Sequence, residues 1–541
     1  MPRYVWLLLP LLAACDGSGD APDAAVEDAG LSDAGGDAGR DAGVDAGPPV
    51  TGCDLARDGG LVGDAGPMPA PDAFDPPRGP GGPATVFSAD QLGEPCAYLP
   101  MGDTDEDHHN TGFFLDGYLV RPWAHERGRG GVAVWDISTP CAPVLVANVL
   151  DAQIRETHST GLSRIGGRWI AVASLQGIQI WDASDVTAPA LVTDLALPGV
   201  RYPDSYMRVV MSVFWQAPYL FVGASDNGIY VIDAGDPTSP EIVAQWLPEP
   251  LFRVGQVIVI GNWLYAFSSE GSVAAVVDVR DPRSPRPVPG GRWTITNGDE
   301  DRLERPVPLP AYFGHVSGGY AYHPRIGIGG GLAIFDVRDP FAPAFVGDFD
   351  APDGDGGYVY LKEGVAYVGL SDYGAAIDVR DPSAPVLLRR FELTGDLDTV
   401  TPFGNVALVS VDDDAVAGQA SAIMPMFEAV DARGPAVNMV VPTDGAVDQP
   451  LSTRIGLTFD EFVEMNSVWA GSVLLRETES GRVVQAHLSG QEGVVNLWPT
   501  HPLSPATEYT LTVPAGGVTD LNGNATASTF GATFTTVACE E

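Results

Sequence analysis

The sequence predicts an all-β chain, a seven-bladed β-propeller followed by a β-sandwich, and three observations carry that prediction. An apolar run ending in Asp recurs every 42 to 58 residues, at Asp136, Asp182, Asp233, Asp278, Asp336 and Asp378, with an eroded copy at Asp431. A period of about 49 residues marks stacked supersecondary units that cannot bury their apolar faces alone. With 65 Gly and 47 Pro in 541 residues, the chain suits many short strands rather than helices. From residue 434 the repeat gives way to alternating apolar and polar residues across several turns, the pattern of a compact antiparallel sandwich.

In chain order, residues 1–15 read as a targeting segment. Arg3 supplies a minimal positive region, YVWLLLPLL an apolar one, and Leu12-Ala13-Ala14-Cys15 closes it with small residues before a cysteine. This resembles a bacterial lipoprotein signal, which implies lipidation of Cys15 and export to a bacterial outer membrane or cell surface. No other run approaches the length needed to span a bilayer, so the expected membrane attachment is the N-terminal lipid alone. Residues 16–83 are dominated by Asp, Ala, Gly and Pro and should form a disordered acidic stalk. Beyond Cys15, the cysteines are Cys53, Cys96, Cys141 and Cys539, which can pair in three ways that spacing does not separate.

The repeats fill residues 84–433. In the second unit, LSRIGGRWIAVAS gives two strands around a Gly-Gly turn, IQIWD a third and ALVTDLAL a fourth, which suits a propeller blade. The recurrent D-x-x-D-P-x-x-P is turn chemistry: Asp side chains accept backbone N–H bonds, and Pro stops the ladder. The pattern, clearest in VVDVRDPRSPRPV at residues 276–288, resembles the LVIVD repeat of exported or surface proteins of bacteria and archaea. That resemblance implies a propeller and a location outside the cytoplasm. It implies no reaction, because the family is defined by its repeat.

Register predicts how the ring closes. EPCAYLPMGDTDEDHHNTG, from Glu94, matches APVLVANVLDAQIRETHSTG, from Ala142, so Pro95 to Met101 should be an orphan fourth strand. It is expected to complete the seventh blade, beside the strand ending at Asp431. Residues 434–541 resemble the bacterial Ig-like modules of surface-layer proteins, through I-x-L-T-F-D-E-F from Ile455, P-L-x-P-x-T-x-Y-T from Pro502 and T-D-x-x-G-N from Thr519. The resemblance implies a spacer or adhesive unit and no catalytic residues.

Charge excludes some partners. With 71 acidic against 29 basic residues, the net charge of −42 would repel nucleic acid and anionic lipid. One of the 29 basic residues is a lysine, Lys362. No nucleophile motif appears, and Gly327 to Gly331 lacks the helix and Lys of a phosphate loop. The candidate site is the run containing Asp105, Asp107 and His109, followed in register by His158 and Arg208. His109-Asn110-Thr111-Gly112 and His158-Ser159-Thr160-Gly161 occupy equivalent positions, where inner strands meet the axial channel. Imidazoles and carboxylates converging there could hold a divalent metal or do acid–base chemistry; otherwise they are wetted channel lining with no cofactor. The first functional reading is a non-enzymatic surface scaffold that binds protein or glycan. The second is an exported hydrolase or lyase acting through His109 and His158. A deep axial pocket favours the enzyme, and a plugged channel favours the scaffold.

Overall fold

The computed structural model describes residues 74–539, apart from short stretches at 101–106, 109–111, 126–128, 156–157, 164–166, 203–206, 328–329, 352–353 and 413. Seven antiparallel sheets follow one another, and in blades two to six the strand order is sequential. Blade two shows the plan: Gly161–Ser163, Trp169–Ser174, Gly177–Asp182 and Ala190–Ala196. First strands such as Val254–Ile260 of blade four are buried throughout, because neighbouring blades cover both faces. Fourth strands such as Val144–Asp151 are the solvated rim. Blade one differs, its innermost position being shared by Asp107–His108 and Phe113–Leu115, which both pair with Tyr118–His125.

The repeat aspartates do what turn chemistry predicts. Third strands end at Asp136, Asp182, Asp233, Asp278, Asp336 and Asp378. Each accepts the backbone N–H two residues on, from Ser138, Ser184, Gly235, Arg280, Arg338 and Arg380. The second Asp repeats the device, as when Asp236 accepts from both the N–H and the hydroxyl of Thr238. Gly331 opens the third strand of blade five, Gly331–Asp336.

Ring closure follows the expectation with one correction. Ala97–Tyr98 is the fourth strand of blade seven, pairing Ala97 with Ile423 and Tyr98 with Ala422. Its partner is Ser421–Pro425, not the segment ending at Asp431. Ser421–Pro425 ends 47 residues after Asp378, near the repeat period, but carries no terminal Asp. FEAVD, six residues later, copies the pattern in a connecting segment, where Asp431 accepts a hydrogen bond from Lys362 Nζ. A disulfide between Cys96 and Cys141 ties the closing strand to blade one.

Past blade seven, Val437–Val441, Ile455–Phe459, Val494–Pro499 and Ala486–Gln491 form one sheet of a sandwich. Ala446–Gln449, Phe530–Thr536, Glu508–Val513 and Leu474–Glu477 form the other. Upstream, the end of the expected stalk departs from expectation. Gly79 N–H donates to Asp116 O, Gly82 to Leu521 O and Phe87 to Glu428 O, so this segment straps blade one, the sandwich and the connecting segment together. Cys15 and most of the expected stalk lie outside the described residues.

Candidate functional site

The segments that lead into the inner strands converge at one mouth of the axial channel. His158, leading into blade two, is buried. Its Nε2 lies 3.3 Å from the Tyr312 hydroxyl, and its ring centroid is 4.5 Å from that of Phe313 and 5.6 Å from that of Tyr358. Tyr312 and Phe313 precede blade five and Tyr358 precedes blade six, so rings from across the propeller meet here. Phe313 and Tyr358 stack at 4.8 Å. His158 thus belongs to an aromatic plug. Arg208, leading into blade three, is exposed on the same face. His109 and Asp105 lie outside the described residues, and Asp107 is described only through its backbone pairing with His125.

The opposite mouth is filled by the sandwich, and no sequence motif announced it. The hairpin turn Gln491-Glu492-Gly493 enters the channel. Gln491 Nε2 donates to Ser159 Oγ at 2.7 Å, one residue from His158, so the tip reaches through to the aromatic plug. Glu492 Oε2 lies 3.4 Å from His315 Nδ1 on the inner strand of blade five. Phe462 packs edge-on to Tyr360 of blade six and Phe403 of blade seven, with centroids 5.6 and 6.0 Å apart.

Around this tip the sandwich meets the turns between first and second strands. At blade three, Gln216 Nε2 donates to Asn496 Oδ1, Ala217 N–H donates to Ser489 Oγ, and Tyr219 stacks on Trp498 at 5.2 Å. Arg454 is fully buried there, donating to Gln216 Oε1 with its guanidinium 4.1 Å above the Trp498 ring. At blade four, Gly261 N–H donates to Asn496 Oδ1 and Asn496 Nδ2 to Val259 O. Gly318 of blade five donates to Asn438 and Thr458, and Glu363 N–H of blade six donates to Asp460 O. Asn466 Nδ2 donates to Asp116 of blade one. Asp520-Leu521-Asn522-Gly523-Asn524 is a turn and also part of this contact: Asn522 and Asn524 donate to Pro83 O and Asp431 O. Gln216, Arg454, Ser489 and Asn496 are buried in this contact and shielded from water, so their mutual pairing holds the sandwich in one register.

Burial pushes the Glu492 carboxyl up to about 7 and the His315 imidazole down to about 4, so near neutrality the facing pair tends toward its uncharged forms. Glu492 therefore keeps its proton in the folded chain from its ordinary 4.5 up to about 7. The folded state binds more protons over that span, so this group makes stability fall as pH rises. His315 acts with the opposite sign between about 4 and 6.5 and masks the fall in the wild type. Glu492→Gln removes one side of the balance. The gain in melting temperature of this variant over wild type should grow as pH rises from 4.5 to 7 and then level off. A pH-independent difference would contradict the buried, protonated carboxyl.

Comparison with known proteins places these features. The family model of the LVIVD repeat matches residues 208–247, 315–351 and 353–392, and that of the bacterial Ig-like domain matches residues 431–536. No curated protein matches the chain. Similar solved structures include BamB of Moraxella catarrhalis, at 12% identity and TM-score 0.36, covering 59% of this chain and 98% of that one. A periplasmic gluconolactonase of Pseudomonas aeruginosa is 14% identical with TM-score 0.40, over 64% of this chain and 88% of that one. The β-propeller domain of Cps50 from Myceliophteria thermophila is 13% identical with TM-score 0.41, over 59% and 97%.

Proposed function

We propose that this LVIVD-repeat propeller and its Ig-like module act as one exported, non-enzymatic binding unit, whose contact surface for protein or glycan is the propeller face opposite the sandwich. The observation that carries this reading is the filled channel. The space where a propeller enzyme would gather convergent groups holds Phe462, Gln491 and Glu492 from one side and the His158, Phe313 and Tyr358 rings from the other. The free face has the chemistry of a contact surface. Met207, Leu251, Leu303 and Val416 expose apolar side chains on its loops, and the Arg155 guanidinium stacks 5.4 Å from the Tyr202 ring centroid. Met, Arg and Tyr are among the residues that recognition surfaces enrich. The Cys96–Cys141 disulfide suits an oxidising compartment, and lipidation at Cys15 would tether the unit to its membrane.

The test uses the whole chain with Cys15→Ala, because a propeller without its sandwich would expose the Phe462 socket and capture partners through it. Surface proteins of the native cell and a glycan array are probed with this protein and with a Leu251→Asp/Leu303→Asp variant. Saturable capture that falls at least tenfold in the variant supports the reading. Capture unchanged by the two charges, or absent from both probes, overturns it.

A further inference from the structure

We infer that Lys362 forms an intramolecular isopeptide bond with Glu461, assisted by Asp431, which joins the propeller covalently to the Ig-like domain. Lys362 ends the inner strand of blade six, Asp431 lies in the connecting segment, and Glu461 follows the sandwich strand Ile455–Phe459. The Lys362 ammonium is hydrogen-bonded to both carboxyls, at 2.7 Å to Asp431 Oδ2 and also to Glu461 Oε2. The three side chains are 6%, 8% and 4% exposed. Glu461 Oε1 is buried without a hydrogen-bond partner, an arrangement that costs more for a charged carboxylate than for the carbonyl oxygen of an amide. With Glu363, the same carboxylates would resemble a cation site, but the lysine ammonium occupies it.

The residue type is the second line of support. Every other basic residue among the 29 is Arg, and a buried ion pair with two carboxylates is a place where the forked guanidinium is the better partner. The single lysine stands where an amine can be a nucleophile and a guanidinium cannot. Burial works to lower the Lys362 pKa, but the charges of Glu461 and Asp431 outweigh it and hold it above the ordinary lysine value. The amine must therefore surrender a proton locally. Burial pushes the Glu461 carboxyl up to about 8 against the pull of the adjacent lysine, so its neutral, electrophilic form lies within reach of a proton exchange inside the cluster.

The reaction balances without a co-reactant. Asp431 takes a proton from the ammonium, and the freed amine attacks Glu461 Cδ. Asp431 then returns that proton to the departing hydroxyl, and the nitrogen loses a further proton to the now-basic Asp431 oxygen. One C–N bond forms, one C–O bond breaks, and one water leaves. That last proton remains on Asp431 or passes to solvent through the cleft of about 470 Å³ that Lys362 and Asp431 line, which also gives the water an exit. Holding amine and carboxyl in contact supplies the effective concentration such condensations need.

Intact-mass measurement of the purified full chain decides the matter. The folded protein should be lighter than its sequence, after correction for disulfides and lipid, by the mass of one water. Because Lys362 is the only lysine, acylation of the denatured chain with an amine-specific reagent should find no ε-amine, and peptide mapping should recover a branched peptide joining Lys362 to Glu461. Lys362→Arg keeps the charge and should show full mass and slower migration in denaturing gels. Asp431→Asn should fold yet remain mostly unlinked. Full mass with a reactive ε-amine in the folded wild-type protein overturns the inference, and a branch mapping to Asp431 overturns the assignment of roles.

Discussion

Phe462→Ala is expected to lower the stability of the propeller–sandwich unit by about 3–5 kcal/mol, the range for removing a buried aromatic ring without collapse of its site. The ring is buried between Tyr360 and Phe403 at the axis, where two blades and the sandwich meet. Edge-to-face contacts add to the loss from transfer alone. Neither wall can close the gap, since Tyr360 and Phe403 lie on inner strands held by ladder hydrogen bonds. Because a typical domain is stable by about 5–15 kcal/mol, the change should also uncouple the two parts, giving separate unfolding transitions. Denaturant titration followed by tryptophan fluorescence and circular dichroism measures both effects. Phe345→Ala, on the exposed outer strand of blade five, is the control and should cost far less. A loss of under 1 kcal/mol at Phe462 would mean that the sandwich does not rest on the channel.

Local chemistry made the blades legible and left their assembly hidden. Asp136, Asp278 and Asp378 announce strand ends because the hydrogen bond each accepts is two residues away. Tyr98 could be placed in blade seven because a closing strand has the same composition as the strand it replaces. Asp431 misleads for the mirror-image reason: FEAVD reproduces a blade strand's pattern without its pairing, while SAIMP has the pairing without the Asp. Of the channel residues, His158 was legible through its match with His109, but its aromatic neighbours were not, since Tyr312 and Tyr358 lie far from it in sequence. Gln491 and Glu492 read as an ordinary hairpin turn of the sandwich. Their function depends on where that hairpin docks, and no residue near them in sequence encodes this.

Closure of the ring leads to the second large effect. Among the described residues, the strand completing blade seven pairs over Ala97 and Tyr98, with the N–H groups of Cys96 and Leu99 donating to Ile423 O and Ser421 O. So short a ladder is weak against the pull of seven blades, and the Cys96–Cys141 disulfide reinforces it. The bond spans 45 residues, for which the loop-closure entropy taken from the unfolded chain corresponds to roughly 4 kcal/mol. A Cys96→Ser/Cys141→Ser variant should lose stability of that order. The position of the loss separates a local clasp from a general staple. Hydrogen exchange of the variant should quicken first at Ser421–Pro425 and in the inner strands of blades one and seven, while blade four, on the far side of the ring, keeps its protection. Uniform acceleration would place the effect in the unfolded chain alone. Preferential opening at blades one and seven would establish that the propeller unfolds from the joint where its two ends meet.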